Sequence, residues 1–149
     1  MFLTGWRFIT MVLAALDMGM AFSHVLEMPA KVRVDGPLWL TFQQTLYRAF
    51  GTVGAVIEIG AIFMSAVLPF LMHGQQPGSR LALAGAACLG TAFVVWLGFV
   101  NPVNGRVRRW TAQSIPGDWE RWRAQWEYAH TTRFVLQLLG FSLLLLSGS

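Results

Sequence analysis

Leu81 to Arg109 reads LALAGAACLGTAFVVWLGFVNPVNGRVRR, an apolar run that changes abruptly into a segment of asparagines and arginines. The apolar part is long enough for a membrane helix, because a bilayer core about 30 Å thick requires roughly 20 apolar residues. Pro102 lacks a backbone N–H and restricts the residue before it, so it predicts the end of the helix just before the proline. The stretch therefore predicts a membrane helix that ends at a positively charged face.

Three other stretches have the same apolar character. The chain has 149 residues, of which 55% are hydrophobic and only 12% are charged, whereas an ordinary soluble domain is about 25% charged. The runs predict membrane helices at about residues 5–29, 46–72, 80–100 and 127–147. We therefore expect an all-α fold, an antiparallel four-helix transmembrane bundle that forms one integral membrane domain over residues 1–149. The first helix has no obvious small-residue cleavage site and is expected to be retained.

Positive charge is concentrated in two long links, residues 30–45 and about 101–126. The opposite face carries only Arg7 and Arg80. The positive-inside rule then places both long links in the cytoplasm, in what we expect to be a bacterial inner membrane. Arg48 is expected to extend its charged end toward the headgroups. The cations of the two links are Lys31, Arg33, Arg106, Arg108, Arg109, Arg121 and Arg123.

The segment PGDWERWRAQWEYAH, residues 116–130, places Trp119, Trp122 and Trp126 on one side of a helix. This spacing predicts an interfacial, tryptophan-rich segment before the last membrane helix. The net charge of +4 suits anionic lipid headgroups, and no nucleic-acid partner is expected because no nucleic-acid motif is present.

Ionisable residues within the spans form stripes. In the first helix Asp17, Met20, His24 and Glu27 are separated by three, four and three residues, so they share one face. Charged groups in hydrocarbon cost at least ~2.5 kcal/mol each, and those that remain usually face the bundle interior and serve a function. Comparable lines in the second and fourth helices are Gln44, Tyr47, Gly51, Ala55 and Glu58, and Trp126, His130, Arg133 and Gln137.

The three stripes predict a polar pocket near the face of the long links. Asp17 and Glu58 fall near the midplane and form its acidic floor, while the two histidines lie within two turns of that face. Asn101 and Asn104 are expected to cap the third helix and to present amides to a ligand. A plain helix stop followed by a positive-inside signal is the alternative for this segment.

Three motifs follow one another along the chain. They are His24-x-x-Glu27 with Pro29, then Asn101-Pro102-x-Asn104, then Trp126-x-x-x-His130-x-x-Arg133. In their order and spacing they resemble the anthrone-oxygenase-like family of small four-helix membrane proteins, long catalogued as a domain of unknown function, and the resemblance covers nearly the whole chain. It implies signature positions at His24, Asn104, Trp126, His130 and Arg133, and an oxygenase that inserts oxygen into activated aromatic carbons without a known added cofactor.

An oxygenase or other oxidoreductase, acting on a lipophilic anthrone-like or quinone-like molecule, is the first hypothesis for the function. His24 or His130 would remove a carbon-bound proton, and Arg133 with the Asn104 amide would stabilise the resulting oxyanion. The residues expected to contact the substrate are Met20, Glu27, Asn101, Trp126 and Glu58.

Two alternatives from other classes remain open at this stage. In one, a metal ion or haem is held by His24, Glu27, His130 and Glu58. The cofactor is therefore open at this stage: none under the first hypothesis, and a metal ion or haem under this one. In the other, the same polar groups form an ion-pair network in a structural or transport subunit. The expected partners are the bilayer, a small aromatic substrate and a second copy of the chain.

Overall fold

The computed structural model describes residues 1–47 and 50–148, and all regular structure in these ranges is helical. Four helical stretches in this part of the chain are long and apolar enough to span a membrane. They indicate an integral membrane protein and confirm the predicted four-helix bundle. The prediction for Arg48 falls outside the described residues. The four stretches are Phe2–Lys31, Phe50–Leu71, Gly78–Val107 and Trp119–Leu146.

The first span is α1, Phe2–Lys31, and the last is α6, Trp119–Leu146. The second contains α3, Ala55–Leu71, and the third contains α4, Gly78–Val95. α1 packs against α3 and α6, and α4 packs against the same two helices, so the four form a square. Arg7 Nη2 donates to Gln75 Oε1 at 3.2 Å. The N-terminus and the short link therefore lie at one end of the bundle, and the long links lie at the other.

A short helix, α2 (Gly36–Thr45), lies in the first long link. Asp35 accepts a hydrogen bond from the Leu38 backbone N–H at 3.0 Å, and a proline occupies the first turn, so the helix begins with a standard cap. Trp39 is fully buried in a cluster with Val103 and Trp126. This packing holds α2 over the link end of the bundle.

The predicted first helix, residues 5–29, stops at Pro29 and the predicted third helix stops before Pro102, but neither proline ends a helix in the structure. α1 continues through Pro29 to Lys31, and the third span continues through Pro102 to the end of α5, Asn101–Val107. The turn before Pro102 is a π-helix, Trp96–Val100, in which the Asn101 N–H reaches the Trp96 carbonyl. A π turn contains i→i+5 hydrogen bonds in place of i→i+4 bonds. This shift in the bonding pattern allows Pro102, which has no N–H to donate, to lie within a continuous helix. The expectation that Asn101 and Asn104 cap the third helix is therefore wrong.

Two further boundaries differ from the prediction. The tryptophan-rich segment does not precede the last span but forms its first turns, because α6 already begins at Trp119. The second span opens with another π-helix, Phe50–Gly54. Its counterpart on the third span, Trp96–Val100, lies in the same half of the bundle. Both irregular turns therefore occur beside the long links.

The half of the bundle near the termini has a tightly packed apolar core. Gly85 of α4 and Gly140 of α6 allow these helices to approach closely, since a Cβ on Gly85 would lie 2.9 Å from the Gly140 carbonyl oxygen. The buried members of this core are Ala14, Ala61, Leu68, Met72, Ala82, Leu89 and Leu144.

Candidate active site

A cavity of about 750 Å³ lies in the other half of the bundle, toward the long links. Asp17 and Glu58 line its floor, and Gln43 and Arg108 line it near the links. The wall between them carries many rings, so the cavity combines polar ends with a flat-sided aromatic middle. The aromatic residues that line it are Tyr47, Phe50, Trp96, Trp110 and Trp126.

Most of the residues singled out from the sequence line this cavity. Glu27 and Asn101 do not, and Asn101 is exposed. Asn101 lies at the junction between the π-helix and α5, where its side chain faces the exposed surface, whereas Asn104, one turn later, lines the cavity. The predicted site residues that the structure brings together around the cavity are Met20, His24, Glu58, Asn104, Trp126, His130 and Arg133.

The imidazole rings of His24 and His130 meet in the middle of the cavity wall. Their ring centroids are 4.2 Å apart, and the residues are only 4% and 5% exposed. They come from α1 and α6, which pack directly on each other. Nδ1 of His24 and Nε2 of His130 are buried, and neither has a hydrogen-bond partner in the described part of the chain. Each ring therefore has a polar atom available to a ligand or to a neighbouring side chain.

The neighbours of the two rings favour different tautomers. Arg133 Nη1 lies 3.5 Å from His130 Nδ1, and since a guanidinium only donates, this contact requires an unprotonated Nδ1. The proton of a neutral His130 then sits on Nε2. His24 Nδ1 lies 3.7 Å from Glu27 Oε2, which favours a proton on Nδ1 and a free lone pair on Nε2. One ring is thus arranged to donate and the other to accept.

The floor of the cavity is a buried polar cluster. Arg133 Nη2 donates to Glu58 Oε1 at 2.5 Å, and Gln137 Nε2 donates to Asp17 Oδ2 at 2.8 Å. All four residues are buried, and the most exposed of them, Glu58, is only 7% exposed. The cluster fixes Arg133 at the point where it also contacts His130.

A second polar cluster lies next to His24, and Tyr47 is its member that lines the cavity. The Tyr47 hydroxyl donates to Glu27 Oε2 at 2.6 Å, and Lys31 Nζ lies 3.4 Å from the same oxygen. Lys31 also pairs with Glu127 at 3.1 Å. Burial, followed by the bond to Glu27, raises the pKa of Tyr47, so its phenol keeps the proton that it donates. The cluster holds the Glu27 carboxylate beside His24.

Sequence reasoning missed two members of the second cluster and one residue of the cavity wall. Lys31 was counted as a link cation, yet it is only 3% exposed, and Glu127, at 1% exposed, was not singled out. Their spacing carried a signal, because Lys31 extends the stripe of the first helix by four residues and Glu127 lies three residues before His130. Gln43, which lines the cavity from α2, had no such signal.

Trp126 joins the imidazole pair to the third span. Its ring centroid is 4.1 Å from that of His130 and 4.9 Å from that of His24. Its indole N–H donates to Asn104 Oδ1 at 2.9 Å. Lys31 Nζ lies 4.5 Å from the centroid of the same ring. The indole is held on several sides and forms a rigid wall next to the histidines.

The proposed metal ligands are not assembled as a set. Within the part of the chain that the structure describes, no group of three or more histidine, cysteine, aspartate or glutamate side chains could hold a metal ion. Glu58 is bonded to Arg133, and Glu27 is bonded to Tyr47 and Lys31. The two carboxylates therefore already have donors.

Comparison with known families gives one match. The model of a family described as anthrone oxygenase matches residues 39–143, more than half of the chain. This range contains Asn104, Trp126, His130 and Arg133, whereas His24 lies before it. No curated protein matches the chain, and no solved structure matches it.

Proposed function

The chain belongs to the anthrone oxygenase family, and we propose that it is a membrane oxygenase that oxidises an activated CH2 carbon of a lipophilic aromatic substrate. The observation that carries this proposal is the pair of buried imidazoles, 4.2 Å apart, that faces an aromatic-walled cavity. A substrate of the anthrone type suits this cavity because it is flat, apolar and acidic at carbon. Its solubility in lipid also suits a site inside a bundle of membrane-spanning helices.

The proposed reaction needs no electron donor other than the substrate. A base removes one proton from the CH2 carbon, and the electron pair of the broken bond remains as an enolate. The enolate reduces O2 and forms a carbon–oxygen bond, which gives a hydroperoxide after protonation. Loss of the second carbon-bound hydrogen and cleavage of the O–O bond release water. The CH2 group thus becomes a carbonyl, one oxygen atom of O2 is incorporated, and the other leaves as water.

His24 is the proposed base. Its Nδ1 faces the Glu27 carboxylate, which would hold the proton there and stabilise the imidazolium that forms when Nε2 accepts a proton. Glu27 is itself held by Tyr47 and Lys31, so its carboxylate has a fixed position. Glu27 therefore acts as a positioning residue and need not touch the substrate.

His130 is the proposed hydrogen-bond donor to the substrate. With Nδ1 accepting from Arg133, its Nε2–H points to no protein acceptor and is available to the carbonyl oxygen on which the enolate charge develops. A donor placed in advance at such an oxygen stabilises the transition state more than the ground state. Arg133 supports this role through His130, since its other contact is with Glu58.

The orientation in the membrane is part of the proposal. Lys31 is buried, and Arg123 donates to the Lys31 and Val34 carbonyl oxygens. We therefore leave these two cations out of the count of positive charges on which the positive-inside rule depends. Exposed arginines still outnumber those of the opposite end, and we propose that the long links face the cytoplasm. These exposed residues are Arg33, Arg106, Arg108, Arg109 and Arg121.

The test is oxygen-dependent turnover of an anthrone in lipid vesicles, with empty vesicles as the uncatalysed reference. Wild-type protein is expected to form the quinone with one O2 consumed per product. His24→Gln should reduce the rate by about 10²- to 10⁴-fold, the usual contribution of a general base. His73→Gln is the matched control, because His73 is exposed in the short link.

Thermal unfolding of the same variants separates catalysis from structure. If the wild type forms no quinone above the empty vesicles, or if His24→Gln turns over like the wild type, the proposed function is wrong. If the wild type is inactive and His24→Gln unfolds more readily than His73→Gln, the polar network serves to hold the bundle together.

A further inference from the structure

We propose that the end of the cavity near the links recognises an anionic substituent, a carboxylate on the edge of the aromatic ligand. Gln43, Asn104 and Arg108 are the residues that would bind it. This inference rests on the proposed function, because it adds a substrate feature to the same site. It is carried by the hydrogen-bonding character of this end of the cavity, which differs from that of the floor.

Gln43 is the first donor. It lines the cavity from α2, and its Nε2 is buried without a hydrogen-bond partner among the described residues. A buried amide N–H without an acceptor is unfavourable, because it has lost its hydrogen bonds to water. A ligand oxygen at this position would remove that cost, so the side chain points to an acceptor on the ligand.

Asn104 and Arg108 supply further donors. The Asn104 Oδ1 already accepts from the Trp126 indole, so only the Nδ2 of this cavity-lining amide remains for a ligand. Arg108 lies one turn later, lines the same cavity, and has no ion pair within the described part of the chain. An amide N–H and a guanidinium therefore lie on one side, opposite Gln43 on α2.

Gln44 holds the two sides together. Its Nε2 donates to the carbonyl oxygens of Val107 and Trp110, each at 3.0 Å. These carbonyls flank Arg108 in the sequence, so α2 is tied to the backbone that carries the guanidinium. The donors thus belong to a braced structure, although Arg108 itself is exposed.

The charges along the cavity give the ligand a direction. Among the described lining residues, the carboxylates are Asp17 and Glu58, and both belong to the floor cluster. The floor holds two carboxylates against one guanidinium, that of Arg133, so a carboxylate on the ligand is expected to be repelled there and bound near the links. In that orientation the aromatic body lies along Trp126 and the imidazole pair. Hydrogen bonds between ionised groups are about twice as strong as neutral ones, so charge should matter more than shape.

The experiment compares anthraquinone-2-carboxylate with its methyl ester, by quenching of tryptophan fluorescence. The protein is embedded in nanodiscs of neutral phosphatidylcholine, and empty nanodiscs correct for partition into lipid. The carboxylate is expected to bind the wild type about tenfold more tightly than the ester, the usual gain of one charged hydrogen bond. Arg108→Gln and Gln43→Leu should each reduce carboxylate affinity and leave ester affinity within about twofold.

Arg109→Gln is the matched control. It removes the same charge from the next residue, which does not line the cavity, and should leave both affinities unchanged. Equal binding of acid and ester by the wild type would overturn the inference while leaving the proposed function in place. Equal effects of Arg109→Gln and Arg108→Gln would also overturn it, because the gain would then be general surface charge. If neither ligand binds, the aromatic substrate class is wrong and the inference fails with it.

Discussion

The two halves of the bundle are built on opposite principles. Near the termini, small residues bring the helices close together, and Gly85 and Gly140 approach until no side chain fits between them. Near the long links, π-helical turns, aromatic rings and paired charges surround a cavity of about 750 Å³. Because the same four helices run through both halves, the tight half can fix the helix positions on which the geometry of the open half depends.

The border between the halves is the polar floor, and the largest loss of stability is expected there. Arg133→Leu would leave the Glu58 carboxylate buried without its cation, which should cost about 3–5 kcal/mol of unfolding free energy. The double variant Arg133→Leu/Glu58→Leu should be more stable than the single one, because two apolar side chains replace the pair. Denaturant unfolding in detergent, followed by tryptophan fluorescence, measures both.

The prediction would be wrong if the double variant unfolded as readily as Arg133→Leu alone. In that case the loss would come from the packing of the arginine stem rather than from an unpaired carboxylate.

A smaller loss is expected from the tight half. A Cβ on Gly85 would lie 2.8 Å from Leu144 Cγ and 2.9 Å from the Gly140 carbonyl oxygen. Gly85→Ala should therefore cost about 1–3 kcal/mol, the usual range for overpacking. Gly90→Ala, on the same helix with nothing within 4 Å, is the control and should be neutral or slightly stabilising. The same unfolding assay measures both variants.

Anthraquinone binding adds a second measurement to this pair. Folded Gly85→Ala should bind the quinone with the affinity of the wild type, because the tight half supports the cavity only through the overall framework of the bundle. Equal stability of the two alanine variants would contradict the close approach of α4 and α6.

The difference between the halves also explains which features could be predicted from the sequence. The four spans follow from apolar length, and the stripe of His24 and the stripe of His130 follow from spacings of three and four residues. These features depend on local helical geometry. The pairing of the two rings depends on how α1 packs on α6, and that register is set by contacts distant in the sequence.

Prolines and long cationic side chains account for most of the errors. Pro102 predicts a helix end, but the preceding π turn lets the helix continue to Val107, which moves Asn101 away from the cavity. As a cation near the end of the first helix, Lys31 is expected to belong to the link. In the structure two carboxylates hold it inside the bundle. A single sequence gives no information on either compensation, because each is made by a partner on another turn or helix.

Proton removal by His24 can be isolated from all later steps in the absence of oxygen. We would incubate the protein in vesicles with an anthrone in deuterated buffer, exclude O2, and follow deuterium entry at the CH2 carbon by mass spectrometry. We predict that exchange is about 100-fold faster for the wild type than for His24→Gln, with His130→Gln intermediate. Equal exchange by the wild type and His24→Gln would show that this imidazole is not the base.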